Sequence, residues 1–268
     1  MRRPVVVRHR VESPHWRGAP LSAVVFSDLH VVAPWSSLSA VARAVARINA
    51  LGPDIVLVPG DFIADPKLPG RRADPDEIVT QLERLDAPLG VFATLGNHDW
   101  ADCRVAAESG YRRNSVREAL AGSRIRHLEN DAARIERDGG DFWLAGVDSI
   151  IGEGSLNRTR PKHDLDAALA PVPGDADVVL MAHEPDLWVE ERPQAALTVS
   201  GHTHGGQIAF GRWRPLTPSR YGSAYAHGRF QRDGRHLVVS GGFGYTAVPI
   251  RIGVPPELTW IDLSREET

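Results

Sequence analysis

The spacing of apolar positions changes repeatedly along the chain, and each change marks an element. Residues 21–26, Leu-Ser-Ala-Val-Val-Phe, form a β-branched and aromatic run that reads as a buried strand ending at Ser27-Asp28. Leu38, Val41, Ala42, Val45 and Ile48 then fall at helical spacing, with Arg43 and Arg47 on another face and Gly52-Pro53 as a stop. Residues 54–59 are a second apolar strand that empties into Gly60-Asp61, which completes a βαβ unit. Asp74, Pro75 and Glu77 have the chemistry of a helix start with a capping box, and Ile78, Val79, Leu82 and Leu85 form its buried stripe. A third strand is expected over 89–95.

Beyond it, the pattern predicts a short helix over 115–121 and a hairpin of 134–136 with 142–145 around Asp138-Gly139-Gly140. A helix over 164–170 follows, then buried strands over 178–181 and 196–199. The remainder is β-rich, with runs at 207–210, 226–231, 237–240, 248–252 and 258–263. No solenoid period is visible. So many strands overfill one open sheet. The expected class is α/β, with two mixed sheets packed face to face and helices outside. Loops at 63–72, 149–163 and 211–223 are rich in Gly, Pro and Arg, and are expected to lie over a site and carry specificity.

The polar residues that end these strands share one chemistry. Asp28-Leu29-His30, Gly60-Asp61, Gly96-Asn97-His98-Asp99, His183-Glu184-Pro185-Asp186 and Gly201-His202-Thr203-His204-Gly205-Gly206 are rich in carboxylate, amide and imidazole donors. A parallel sheet delivers such residues to one edge, which makes the set a candidate two-metal site. These donors suit Mn, Fe, Zn or Co better than a soft metal or a calcium cage. Asp-x-His and Gly-Asp are weak alone, since turns use the same residues. Two imidazoles flanking one residue between glycines have few structural uses.

Because the donors run from Asp28 to His204 and must converge, we expect one domain: an N-terminal extension over 1–20, a motif core over 21–210 and a β-rich part over 211–268. The 268 residues carry a formal charge of −3, which gives no basic field for nucleic-acid binding. Lys67 and Lys162 are the two lysines, so arginine supplies nearly all positive charge. Cys103 is the sole cysteine, which excludes an intrachain disulfide and a thiolate cage. No segment approaches the ~20 apolar residues of a membrane span, and the apolar run at 4–8 is too short for a signal peptide. A cytoplasmic location is expected, with peripheral contact at the inner membrane face as the alternative.

In this order, the blocks resemble the calcineurin-like metallophosphoesterase superfamily. The stretches 90–100, 183–186, 204–207, 238–242 and 253–257 are similar to its bacterial phosphodiesterase branch, which has membrane-proximal members. The resemblance implies a four-layer αββα sandwich holding two divalent metal ions. Asp28, His30, Asp61 and His204 would hold one ion, and Asp61, Asn97, His183 and His202 the other, with Asp61 bridging. It also implies His98 as proton donor to the leaving alkoxide, its ring oriented by Asp99.

The implied activity is hydrolysis of a small or lipid-linked phosphodiester or pyrophosphate. A phosphomonoesterase, a UDP-2,3-diacylglucosamine pyrophosphatase and a non-catalytic scaffold are the alternatives. Ala64 stands where purple acid phosphatases have a tyrosine, and the Asp-Arg-Gly extension of protein phosphatases is missing. Trp100, Tyr221 and Tyr225 read as core aromatics, with an acyl or nucleobase pocket as their alternative.

Overall fold

The computed structural model describes residues 3–64, 67–153, 160–191, 193–211 and 213–267. Part of the expected specificity loop at 149–163, residues 154–159, lies outside them.

Two six-stranded sheets dominate the molecule. In the first, Val5–Ser13 runs parallel to Glu257–Arg265, which is antiparallel to Leu21–Val25; Ile55–Pro59, Val91–Thr94 and Arg126–His127 continue in parallel from there. In the second, Phe142–Gly146, Val178–Met181, Leu197–Ser200 and Arg235–Val239 are parallel neighbours. Asp131–Ile135 and Gly228–Arg232 close its two edges in antiparallel fashion.

The period-two alternation of the strands builds the layers. Ala23, Val25, Ile55 and Leu57 turn toward the second sheet and pack with Leu144, Val179, Met181, Leu197 and Val199. Val24, Val56, Val58 and Ala93 turn the other way, onto the helices Leu38–Leu51, Pro75–Leu82 and Ser115–Ala121. Behind the second sheet, Ala145, Val178 and Leu180 meet Ala168 and Leu187 of two short helices. The result is the expected four-layer sandwich, helix, sheet, sheet, helix.

Local chemistry explains the helix boundaries. Ser37 caps Leu38–Leu51 by accepting from the Ala40 amide, and Gly52 ends it in the left-handed region at φ 63°. Asp74 and Glu77 form the capping box, with Pro75 inside the first turn.

Two stretches differ from the elements expected. Within the N-terminal extension expected over 1–20, Val5–Ser13 is an edge strand of the first sheet, in register with Glu257–Arg265 over nine pairs, and Val11 is buried between the sheets. Its short alternating pattern, interrupted by Arg8, His9 and Arg10, hides a strand with one wet face. Residues 207–210 and 248–252 are not strands; they meet as irregular loops joined by a bridge between Ile208 and Ile252.

Burying an unpaired carboxylate between the sheets is costly, so Val11→Asp is expected to remove about 3 kcal/mol or more of stability. Urea unfolding followed by circular dichroism measures it; a midpoint equal to that of the parent chain would show the strand to be dispensable.

Candidate metal centre

Each expected donor follows the C-terminal end of a parallel strand. Asp28 and His30 follow Leu21–Val25, Asp61 follows Ile55–Pro59, and Asn97 opens the helix Asn97–Ala101 just after Val91–Thr94. From the second sheet, His183 follows Val178–Met181, while His202 and His204 follow Leu197–Ser200. Backbone bonds stitch these crossings together: the Asp28 amide donates to the Gly60 carbonyl at 3.2 Å, His30 to Asp61 at 3.1 Å, and Gly201 to His183 at 3.0 Å.

The backbone there is unusual. Asp28, His30, Asp61, His202 and His204 all have positive φ, between 40° and 67°, and they make up half of the ten non-glycine residues in that region among those described. Such conformations cost of order 1 kcal/mol each and persist only where the surroundings enforce them. Two glycines allow the close approach. A side chain at Gly96 would run into Asp61 and His183, and one at Gly201 into Ser27 and Asp28.

The structure brings all seven expected donors together. His30 Nε2 lies 3.1 Å from His204 Nε2 and 3.4 Å from Asp61 Oδ2. Asp28 Oδ1 lies 3.6 Å from His204 Nε2. His183 Nε2 lies 3.1 Å from Asp61 Oδ2, and His202 Nδ1 lies 2.8 Å from the Asn97 Oδ1. The donors fall into three overlapping groups, Asp28 with His30 and His204, His30 with Asp61 and His98, and Asp61 with His183 and His202. Two half-sites, one around Asp28, His30 and His204 and one around His183 and His202, are thus joined through His30 and Asp61.

These donors fit a pair of divalent cations. His183 Nδ1 points at the Pro59 carbonyl at 2.6 Å, so that nitrogen carries the proton of a neutral ring. Its Nε2 is then a buried lone pair with no aligned hydrogen bond, facing a carboxylate oxygen. His30 repeats the arrangement, with Nδ1 on the Ile63 carbonyl at 3.0 Å and Nε2 turned inward. Lone pairs converging on a buried carboxylate repel unless positive charge sits among them. Separations near 3 Å also match neighbouring ligands about 2.1 Å from a shared ion.

Without a cation, protons take its place. Burial raises Asp28 to about 6, aided by the Asp61 charge. Burial also opposes ionisation of Asp61, but the positive charge of His183, foremost among its neighbours, wins and holds it well below the usual carboxylate range. His183 moves the opposite way, well above an ordinary imidazole: the Asp61 charge outweighs desolvation. Desolvation lowers His30 and His202 to about 3, which keeps both as neutral ligands.

The expectation for Asp99 is corrected. Its carboxylate accepts from the backbone amides of Gly96, Asp61, Phe62 and Ile63, at 2.8 to 3.2 Å. It therefore clamps two donor-bearing loops, and the His98 ring is held by Asp102, whose Oδ2 meets His98 Nδ1 in a short contact. The available signal was the i, i+4 spacing of His98 and Asp102 on a helix that starts at Asn97. His98 itself flanks the cluster, its ring 4.9 Å from that of His30.

Other neighbours had no local signal. Arg251 extends Nη2 to His204 Nδ1 at 2.9 Å and donates to the Gly241 and Gly244 carbonyls. Glu184 accepts from Ser149 and Ile150, and Asp186 from Ser219 and Arg220, so both acids fasten loops expected over the site. Trp100 is a core residue with its indole on Asp148 at 2.7 Å, whereas Tyr221 and Tyr225 meet edge to face near the surface.

The family model described as calcineurin-like phosphoesterase matches residues 21–206. An uncharacterized metallophosphoesterase of Bacillus subtilis, YkuE, is 26% identical over 238 residues, covering 88% of this chain and 76% of that protein. Proteins of Danio rerio and Bos taurus, each named transmembrane protein with metallophosphoesterase domain, are 30% identical over 91% and 94% of this chain. This chain spans 53% and 56% of their lengths, about half. The solved Haemophilus influenzae NAD nucleotidase NadN aligns with a TM-score of 0.52 at 16% identity, over 86% of this chain and 52% of that one, a likeness of fold. Among the described residues no helix is long and apolar enough to cross a membrane.

Because His183 holds a proton in the cation-free site and Asp28 gains one below about pH 6, ion uptake must expel protons. Manganese titrations near neutral pH, run calorimetrically in buffers of different ionisation heat, are expected to give different apparent heats, and affinity should weaken as pH falls through about 6. Identical heats in every buffer would contradict this arrangement. Asp61→Asn removes the carboxylate at the junction of the half-sites and is expected to abolish manganese retention, read by elemental analysis.

Proposed function

This chain belongs to the calcineurin-like phosphoesterase family, and we propose that it is a dinuclear metal-dependent phosphodiesterase for a small or lipid-linked phosphodiester or pyrophosphate. The observation that carries the reading is the pair of half-sites joined through His30 and Asp61, with inward-facing imidazole nitrogens. Asp28, His30, Asp61 and His204 would hold one cation, and Asp61, Asn97, His183 and His202 the other. Bound there, two dications would supply Lewis-acid charge to the phosphoryl oxygens and lower the pKa of water toward ~7.

The chain's own groups do the rest. Asp61 lies between the half-sites, where a shared carboxylate reduces repulsion between like charges. Formally, two dications held there against Asp28 and Asp61 would leave a net positive charge, enough to attract an anion into a chain of net −3. Asp102 holds the His98 ring at Nδ1, and His98 would deliver a proton to the departing alkoxide.

Phosphodiesters fit this charge better than monoesters. A monoester dianion calls for additional cationic groups on its terminal oxygens, yet Phe62-Ile63 replaces the arginine of the protein phosphatases, and the Arg251 guanidinium is engaged by carbonyls and His204. The lipid-linked option is supported by vertebrate relatives named as transmembrane proteins.

Manganese-loaded protein is expected to cleave bis(p-nitrophenyl) phosphate faster than p-nitrophenyl phosphate, and the reverse order would defeat the diesterase reading. His98→Asn should keep its manganese while kcat falls by about 10²–10⁴-fold. Asp102→Asn should lose roughly 10–100-fold with KM little changed. Full activity of His98→Asn would remove the histidine from proton transfer.

A further inference from the structure

Large apolar side chains are exposed almost exclusively in one place. Of the eight such residues among those described, seven lie in the loops 207–223 and 244–254. Phe210, Trp213 and Leu216 of the first loop are 56%, 63% and 76% exposed, and the Phe210 and Trp213 rings touch at 5.7 Å. Val248, Ile250 and Ile252 belong to the second.

The two loops form one surface. The Ala209 amide donates to the Ile252 carbonyl and the Ile252 amide to Gln207, while Gln207 Nε2 bonds the carbonyls of Thr246 and Val248, both at 2.9 Å. That surface also borders the metal centre. Ile250 and Ile252 face outward, and Arg251 between them turns inward to His204. Arg214 ties the first loop to the Gly205 carbonyl at 2.9 Å.

Charge separates this face from an ordinary sticky patch. The first loop carries three arginines, the second one, and neither contains an aspartate or glutamate, in a chain whose formal charge is −3. Arg220 is matched by Glu190 from outside the loops. Exposed tryptophan, phenylalanine and branched aliphatics in loops that contain arginines and no acidic residue of their own, Asp186 and Glu190 at their border being bonded to Ser219 and Arg220, are the chemistry of a segment that sits at a lipid headgroup boundary: the apolar groups enter the acyl edge and the cations meet anionic headgroups.

We infer that the loops 207–223 and 244–254 dock this chain on an anionic lipid bilayer, with the mouth of the metal centre facing the membrane. Docking deepens the lipid-linked reading of the function. Its test needs no turnover, so either idea can fail alone.

The full chain is mixed with vesicles of phosphatidylcholine, or of phosphatidylcholine with phosphatidylglycerol, and pelleted. Partition is expected into the anionic vesicles, weakened by added salt. Trp213→Ser with Leu216→Ser should lower it about tenfold while circular dichroism and manganese content stay unchanged, and Ile250→Ser with Ile252→Ser should do the same from the other loop. Parent protein that stays in the supernatant with both vesicle types overturns the proposal, and equal partition into both overturns the anionic preference. A dimer in sedimentation velocity that the substitutions dissolve, with no vesicle binding, assigns the face to a second copy instead.

Discussion

The centre depends on one buried charge. Asp61 is almost fully enclosed, yet the histidines around it hold its carboxyl ionised. A lone carboxylate in that position is costly, and imidazole lone pairs aimed at it raise the cost. On the proposed reading the chain accepts it because both half-sites would use the same negative group. From there the requirements propagate: donors must come from two sheets packed face to face, the C-terminal ends of their strands must lie at one edge of the sandwich, and the backbone must bend sharply at each crossing.

Those bends are held by the layers beneath them. Five donors sit in left-handed backbone, and none has a local reason to do so. What enforces the conformation is the interlayer packing of Val25 and Leu57 against Met181 and Val199, together with amides that find carbonyls across the gap between strands. Asp99 contributes from behind, since one carboxylate accepting four amides fixes the 61–63 and 96–99 turns to each other. Local strain is therefore maintained by non-local contacts.

Much of this was legible in the sequence, because long apolar runs announce buried parallel strands and the donors stand directly after them. The helices at 38–51 and 75–82 were equally plain, since their stripes and caps agree. Val5–Ser13 was obscured because its pattern mixes polar residues into a strand whose partner, Glu257–Arg265, is the far end of the chain. Residues 248–252 have strand-like composition yet adopt a loop, because their branched side chains face solvent and their backbone partners are Gln207 and Ala209. The Asp99 role was misread for a different reason. The resemblance implied contact of Asp99 with His98, whereas the helix beginning at Asn97 turns successive side chains about 100° apart and presents Asp102 to the ring.

Asp99 also links ion binding to the strength of the scaffold. Burial and the nearby Asp61 charge raise its carboxyl to about 7, far above the ordinary 3.8 of an aspartate. A group whose folded-state pKa is raised favours folding most below its unfolded value, and that contribution is lost as pH rises through about 7. Asp28, raised to about 6, acts in the same direction. In the cation-free chain, then, the carboxylates of the centre weaken the fold as they ionise toward neutrality. Cations bound at Asp61 and Asp28 would offset the Asp61 charge that adds to burial in raising Asp99, letting it ionise while it accepts four amides. On the proposed reading, the charge that would draw a phosphate would also tighten the turns that carry the ligands.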